Sequence, residues 1–288
     1  MATNIHNTCL ICDCENLFPL KEYQSSFLVK CANCSFVFAH KIPSTEELVA
    51  CYDTYPTLTI SPITIKRYNE LLDGFEKKKR TNNILDLGCG QGFFIETAKK
   101  RGWNVYGTEY RKQAIETCLA KGLNIHSGGL NDSPYPNNFF DIITSFEVIE
   151  HINNPVLELE KIHQLLVSDG YLYATTPNFN SLNRIFLGKN WCIIGFPDHL
   201  SYYTPKTINH LFTKSKFNKV SLKTTGFSYA SIKNELKNSQ AATRILDEQF
   251  RAKTEKSTFM AIAKQVVNAF LTLFGTGDTI KALYKKNS

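Results

Sequence analysis

From Asn82 onward the chain alternates between apolar runs and amphipathic stretches. The apolar runs at 83–87, 103–108, 123–126, 140–145 and 170–176 predict strands, each bounded by glycine, proline or asparagine. Between them, 93–101, 111–121 and 155–167 carry apolar residues at helical spacing, the last entered through Asn153 or Asn154 as cap. Strands separated by helices of this length predict a mostly parallel sheet with right-handed crossovers. Upstream, 63–79 places Ile65, Tyr68, Leu71, Leu72 and Phe75 on one helical face. Before it, Pro43, Pro56 and Pro62 punctuate a connector, and 27–29 and 36–38 are short β-like runs. Downstream the pattern predicts a helix at 205–216, a strand at 220–227, helices at 230–253 and 257–274, and a last strand at 277–285.

The 288 residues suffice for one large α/β domain plus a small appendage. The net charge of +7 is spread along the chain, with one dense run at Lys77, Lys78, Lys79 and Arg80. That run reads as a solvated helix end complementing the helix dipole, or else as a contact for an anionic substrate. The first residues lack the apolar stretch of a secretory signal, and no window approaches the ~20 apolar residues of a membrane span. Nine cysteines, an odd number, with four in a metal-like pattern, argue for a reducing, cytoplasmic setting. In 259–274, Lys264, Gln265, Asn268 and Thr272 form a polar side and apolar residues cover the rest. The expectation is a helix packed on the domain or on another subunit; a membrane-surface role is the alternative.

The run Ile84-Leu85-Asp86-Leu87-Gly88-Cys89-Gly90-Gln91-Gly92 carries the strongest enzymatic signal. A strand feeds directly into three glycines and a helix begins at once. Glycine permits the tight turn and lets a ligand approach the backbone. The turn and helix start then offer N–H groups. The spacing G-x-G-x-G differs from the G-x-G-x-x-G of dinucleotide folds. About twenty residues on, the second strand ends at Glu109, where a carboxylate can accept ribose hydroxyls.

With these residues the chain resembles the class I S-adenosylmethionine-dependent methyltransferases. ILDLGCGQG is similar to their first motif, and Glu109 to the acidic end of their second strand. The stretch Pro136 to Ile143 is similar to their fourth-strand entry. Phe146-Glu147-Val148-Ile149-Glu150-His151-Ile152 resembles a segment of the subgroup that includes ubiquinone-pathway O-methyltransferases. Thr176-Pro177-Asn178 fits the end of their fifth strand. The resemblance implies a Rossmann-like seven-stranded sheet with the last strand antiparallel. It implies S-adenosyl-L-methionine as methyl donor, held by Asp86, Gly88, Gly90, Gly92, Glu109, Tyr110, Gly129, Leu130 and Phe146. The family often has an acid after its third strand; here Gly128-Gly129-Leu130 stand instead, with no acid before Asp132.

Methyl transfer from a sulfonium is an in-line displacement in which positioning supplies much of the acceleration. A neutral hydroxyl acceptor benefits from a general base. His151, after the fourth strand, and His199, in an aromatic stretch at 191–203 read as acceptor wall, are the two candidates. Each has a structural alternative: His151 as loop or helix cap, His199 in a packing turn. Glu147 and Glu150 beside His151 are a weaker candidate for a divalent ion.

Cys9-x2-Cys12 and Cys31-x2-Cys34 are two short pairs, each able to aim two thiolates at one centre. Together they form a tetrahedral sulfur set suited to Zn²⁺, as in a zinc ribbon, with Cys14 able to substitute for Cys12. A closed four-sulfur site is structural. The expected organisation is a ribbon at 1–42, a connector and helix at 43–81, and a methyltransferase domain at 82–288 with acceptor-side insertions near 178–216 and 229–275. The expected function is O- or N-methylation of a small-molecule or sugar acceptor in biosynthesis. Nucleic acid is the competing acceptor, and a non-catalytic, cofactor-binding partner protein is the reading outside enzymology.

Overall fold

The structure, a computed structural model, describes residues 4–53, 59–227 and 258–287. Eleven strands and eight α-helices run among the described residues. The strands are β1 (Leu17–Pro19), β2 (Leu28–Cys31), β3 (Val37–Ala39), β4 (Asn83–Leu87), β5 (Asn104–Glu109), β6 (Asn124–Ser127), β7 (Phe140–Phe146), β8 (Leu166–Pro177), β9 (Ser201–Tyr202), β10 (Phe217–Thr225) and β11 (Thr279–Lys286). The helices are α1 (Thr45–Asp53), α2 (Pro62–Glu76), α3 (Phe93–Lys100), α4 (Lys112–Ala120), α5 (Pro155–Leu165), α6 (Leu182–Leu187), α7 (Pro205–Lys214) and α8 (Thr258–Phe274).

Seven strands form one sheet in the order β10-β11-β8-β7-β4-β5-β6. Its β8-β7-β4-β5-β6 portion is parallel, and the last strand, β11, is antiparallel. This is the α/β, Rossmann-like seven-stranded sheet that the resemblance implied. The chain reverses its direction of winding at β4, between β5 and β7, and in open α/β sheets ligands bind at such a switch point. β4 is buried at every position, as a central strand covered on both faces must be. Ser61 caps α2 by accepting from the Thr64 amide, and Asn154 caps α5 through the Leu157 amide.

The chain divides into two compact units, each discontinuous in sequence. The larger comprises 44–175, 209–221 and 282–288; its core gathers Leu72, Phe75, Ile84, Phe94, Trp103 and Ile142. Asp141 staples the turn before β4, accepting from the amides of Arg80, Thr81 and Asn82 at 2.8–3.0 Å. The other unit comprises 1–43, 176–208 and 222–281, with a core of Tyr23, Leu28, Val37, Phe179, Trp191 and Tyr202. Its four-stranded sheet, β1-β2-β3-β9, takes three strands from the first forty residues and the fourth from the stretch after β8.

Several elements differ from expectation. α1 lies in what the prolines marked as connector, α6 lies in the expected insertion near 178–216, and β9 lies in the aromatic stretch at 191–203, for which no strand was expected. α5 ends at Leu165 because Leu166 is already extended and opens β8. α2 ends at Glu76 with Lys77 as its C-cap, so the basic run begins at the helix end and continues beyond it. Lys78 lies 4.7 Å above the Tyr171 ring and Lys79 4.3 Å above Trp103. Arg80 donates to the Ser168 carbonyl at 2.9 Å and pairs with Asp169 at 3.3 Å. The expected helix at 230–253 lies outside the described residues. In α8 the polar side faces inward: the Asn268 carbonyl oxygen accepts from the Gly226 amide, and Thr272 exchanges hydrogen bonds with the Thr224 backbone. The apolar side is the exposed one, with Phe270, Leu273 and Phe274 more than half open.

Candidate functional site

The candidate cofactor site lies at the carboxyl ends of β4 and β5. The turn leaving β4 is tied to the neighbouring strand by three consecutive amides. Gly88 N–H donates to Thr108 Oγ1 (3.3 Å), Cys89 N–H to the Thr108 carbonyl (2.9 Å) and Gly90 N–H to Glu109 Oε2 (2.8 Å). Lys121 holds the far side, donating to the Gln91 carbonyl at 2.9 Å and pairing with Glu96 at 3.0 Å. All three glycines have positive φ, but they differ in surroundings. A Cβ on Gly88 would press on Val148, and one on Gly92 would meet Leu123 and Cys118. One on Gly90 would meet nothing within 4 Å. Gly90 therefore presents an open face, Gly92 is a buried packing glycine, and Gly88 is exposed with the Val148 side chain against it.

Glu109 is buried and its carboxylate is already well used. Oε1 accepts from the amides of Tyr110 and Arg111, both at 2.9 Å, and Oε2 accepts from Gly90. A carboxylate offers about four acceptor positions, so roughly one remains for a ligand hydroxyl while the loop stays braced. The turn thus does not offer all its amides outward: Gly90's is turned onto Glu109. Beyond it, Tyr110 is 69% exposed and its hydroxyl stands where a side chain at Gly129 would begin. Leu130 is buried, and Phe146 packs edge-on against Phe94 with ring centroids 4.9 Å apart. Tyr68 of α2 tilts onto Phe146 at 5.8 Å, so α2 contributes to this wall. S-adenosylmethionine fits such a site: an open glycine face, a carboxylate beside it and an aromatic ring at each end.

Asp86 is buried inside β4, accepting from Thr144 Oγ1 at 2.6 Å. Burial pushes its carboxyl up to about 8, with further repulsion from Glu109, against the pull of the Thr144 hydrogen bond. The fold therefore holds the neutral acid. Stability from this group is complete below the ordinary value of 3.8 and is lost as pH rises through 8. An Asp86→Asn variant keeps the Thr144 bond and removes the ionisation. Its melting temperature is expected to match the parent near pH 4 and exceed it increasingly towards pH 8, read by differential scanning fluorimetry across pH.

The two candidate bases lie in different compact units. His151 closes a short 3-10 turn after β7, its Nε2 3.9 Å from Glu150 Oε1. His199 Nδ1 lies 2.6 Å from the Ile193 carbonyl. A carbonyl only accepts, so that nitrogen carries the hydrogen and Nε2, 3.7 Å from Asp198, is the one that can take a proton. Glu147 adopts φ 53°, a conformation non-glycine residues rarely take, directly after the last residue of β7. Sequence reasoning missed Thr108, Lys121, Tyr68 and Glu158. Glu158, in the first turns of α5, lines an apolar pocket with Leu87, Ser145, Ile149 and Phe212, and burial pushes its carboxyl up to about 6. Its charge in an otherwise apolar stripe of α5 was the available signal.

The four thiols of Cys9, Cys12, Cys31 and Cys34 lie within 4.8 Å of one another. Cys9–Cys34 and Cys12–Cys31 are 3.5 Å apart, too far for disulfides. Sulfurs about 2.3 Å from a tetrahedral zinc stand roughly 3.8 Å apart, so the set fits Zn²⁺. Asp13 and Ser35, after the second cysteine of each pair, have φ of 59° and 65°, which explains why glycine would be at ease there. Cys14 is outside the cluster, its thiol 3.9 Å from the Asn16 carbonyl.

Residues 64–222, more than half of the chain, match the methyltransferase domain family. The ubiquinone biosynthesis O-methyltransferase of Vibrio parahaemolyticus is 24% identical over 214 residues, 70% of this chain and 87% of that protein. Its counterpart in Nitrosomonas europaea is 22% identical over 171 residues, 54% of this chain and 70% of that protein. Among solved structures, a SAM-dependent methyltransferase from Archaeoglobus fulgidus superposes with TM-score 0.52 at 16% identity, covering 78% of this chain and 93% of that one. Phosphoethanolamine N-methyltransferase 2 of Haemonchus contortus, in complex with S-adenosyl-L-methionine, gives 0.51 at 15% identity, covering 77% and 53%. At these identities the structural likeness bears on the fold.

Proposed function

We propose, from the premise that this chain belongs to the methyltransferase domain family and is an S-adenosylmethionine-dependent methyltransferase, that its acceptor is a small molecule or sugar carrying a hydroxyl or amine. The observation that carries the cofactor assignment is the Gly90 turn braced on Glu109 at 2.8 Å beside an open glycine face. When bound, the cofactor supplies a methyl group already activated by its sulfonium. The chain's own residues do the rest. Gly90 leaves room for the ligand against the backbone, and the remaining acceptor capacity of Glu109 takes a ribose hydroxyl. Tyr110 and Leu130 border the adenine, and Phe146 and Tyr68 exclude water from the methionine end. Asp86 lies beneath the turn and, held neutral, is bonded to Thr144. For a hydroxyl acceptor, His199 Nε2 or His151 takes the proton. For an amine, positioning is enough.

The relatives are, by their names, O-methyltransferases of ubiquinone biosynthesis, which supports a hydroxyl as one acceptor class. The internal use of Lys78, Lys79 and Arg80 weakens the case for RNA, which needs a free basic face. Zinc in the four-cysteine centre is structural, since all positions of a tetrahedral ion are filled by thiolates. The test is methyl transfer from tritiated S-adenosylmethionine to pooled phenols, sugar nucleotides, small amines and total RNA. Label is expected in one small-molecule pool. Label in RNA alone overturns the acceptor assignment. Tight cofactor binding with no transfer to any pool marks a non-catalytic partner protein instead.

A further inference from the structure

The four-cysteine module does not end at its own hairpin. Cys31 closes β2 and Cys34 ends the turn that leads to β3, so a bound ion would clamp that hairpin. β3 then pairs antiparallel with β9, Val37 opposite Tyr202 and Phe38 opposite Ser201. The pairing continues through the Ala39 amide, which donates to the Leu200 carbonyl at 2.8 Å. Behind the strands the core is shared, with Tyr23 edge-on to Phe179 at 6.0 Å and Phe36 tilted on Tyr203 at 5.2 Å. Tyr202 reaches further. Its hydroxyl accepts from the Gly195 amide and donates to the His199 carbonyl, both at 3.2 Å. The His199 amide donates back to the Gly195 carbonyl at 2.9 Å, and the imidazole leans on the Ile193 carbonyl. One continuous path therefore leads from the thiols through Val37 and Tyr202 to the turn that carries His199.

We propose that the four-cysteine centre is the positioning element of this turn: metal loading holds Tyr202, and Tyr202 holds His199 and Trp191 in place. The proposal rests on the reading of 191–203 as acceptor wall for its catalytic meaning, but not for its test. A module this short has little core of its own, so metal binding and its folding are coupled. The shared core passes that coupling on to residues some 160 positions away. The ribbon is then a working part of the acceptor side, and Tyr202 is a positioning residue.

The full-length, zinc-loaded protein carrying Trp103→Phe keeps Trp191 as its sole tryptophan, reporting on this unit. Zinc is withdrawn with a chelator and its release counted with a colorimetric dye. Trp191 emission is expected to shift to longer wavelength in step with zinc loss. Hydrogen exchange at the Gly195 and His199 amides is expected to rise at least tenfold. Affinity for S-adenosylhomocysteine, by calorimetry, is expected to stay within about twofold, since Gly90 and Glu109 belong to the other unit. Cys12→Ser should reproduce the zinc-free behaviour, whereas Cys12→His, still a zinc ligand, should restore it to the loaded state. Tyr202→Phe should accelerate exchange at the same two amides while zinc content holds. Unchanged Trp191 emission and exchange after complete zinc loss would overturn the proposal. So would loss of cofactor affinity in parallel, which would mean general unfolding. Absence of cofactor binding in the loaded parent would instead count against the methyltransferase reading.

Discussion

Glu109→Ala is expected to weaken S-adenosylmethionine binding about 100-fold. The carboxylate has two duties that fail together. In the proposed site it accepts a ligand hydroxyl, and it braces the turn through the Gly90 amide at 2.8 Å. Hydrogen bonds to charged groups contribute about 1.5–3 kcal/mol each. Loss of one ligand bond plus loosening of the turn therefore amounts to about 3 kcal/mol, or about two decades of affinity. Glu109→Gln does not rescue the site: its single oxygen can accept from Gly90 or from Tyr110 and Arg111 but not both, and its NH2 is turned against the remaining N–H donors. A loss of at least tenfold is expected. Calorimetry with S-adenosylmethionine and its demethylated product checks both. Equal affinities for parent and Glu109→Ala would remove this carboxylate from the site.

The second large effect separates two glycines only two positions apart. Gly90→Ala adds a methyl to the open face at φ 53°. The left-handed backbone costs about 1–2 kcal/mol. No neighbour is displaced, so the fold survives, but the methyl occupies the ligand's space and affinity is expected to fall at least tenfold. Gly92→Ala has the same backbone strain at φ 74° and drives the new carbon to 2.5 Å from Leu123 and 2.9 Å from the Cys118 thiol. Overpacking adds about 1–3 kcal/mol. A drop in melting temperature of roughly 10 °C is expected there, at about 2–4 °C per kcal/mol for domains of this size. Thermal melts beside cofactor titrations read the contrast; a Gly90 variant that loses stability yet binds normally would reverse the assignment.

Local pattern made the catalytic sheet legible. β4, the Gly88–Gly90–Gly92 turn and Glu109 are contiguous or one crossover apart, and their residue types carry the reason for the turn. The cysteine pairs were legible on the same ground, and geometry then excluded Cys14. What stayed hidden is non-local. β9 is two residues long and has no alternation to read; it is a strand only because β3 offers its edge. The loss of Gly90's amide to Glu109 follows from strand register, which composition does not encode. The further use of the basic run was not legible, because stacking of Lys78 on Tyr171 and Lys79 on Trp103 depends on where β8 and β5 place those rings. The orientation of α8 was not legible for a related reason: Thr224 and Gly226 present backbone groups that bond to its polar side.

The fourth strand of the small sheet has a consequence for biosynthesis. Val37 leaves the ribosome roughly 160 residues ahead of its partner Tyr202. At about 5–20 residues per second the nascent hairpin waits on the order of 10–30 s with an unpaired edge. During that interval an ion captured by the four thiols would hold the hairpin, so zinc supply during translation, more than afterwards, should govern the yield of correctly assembled protein.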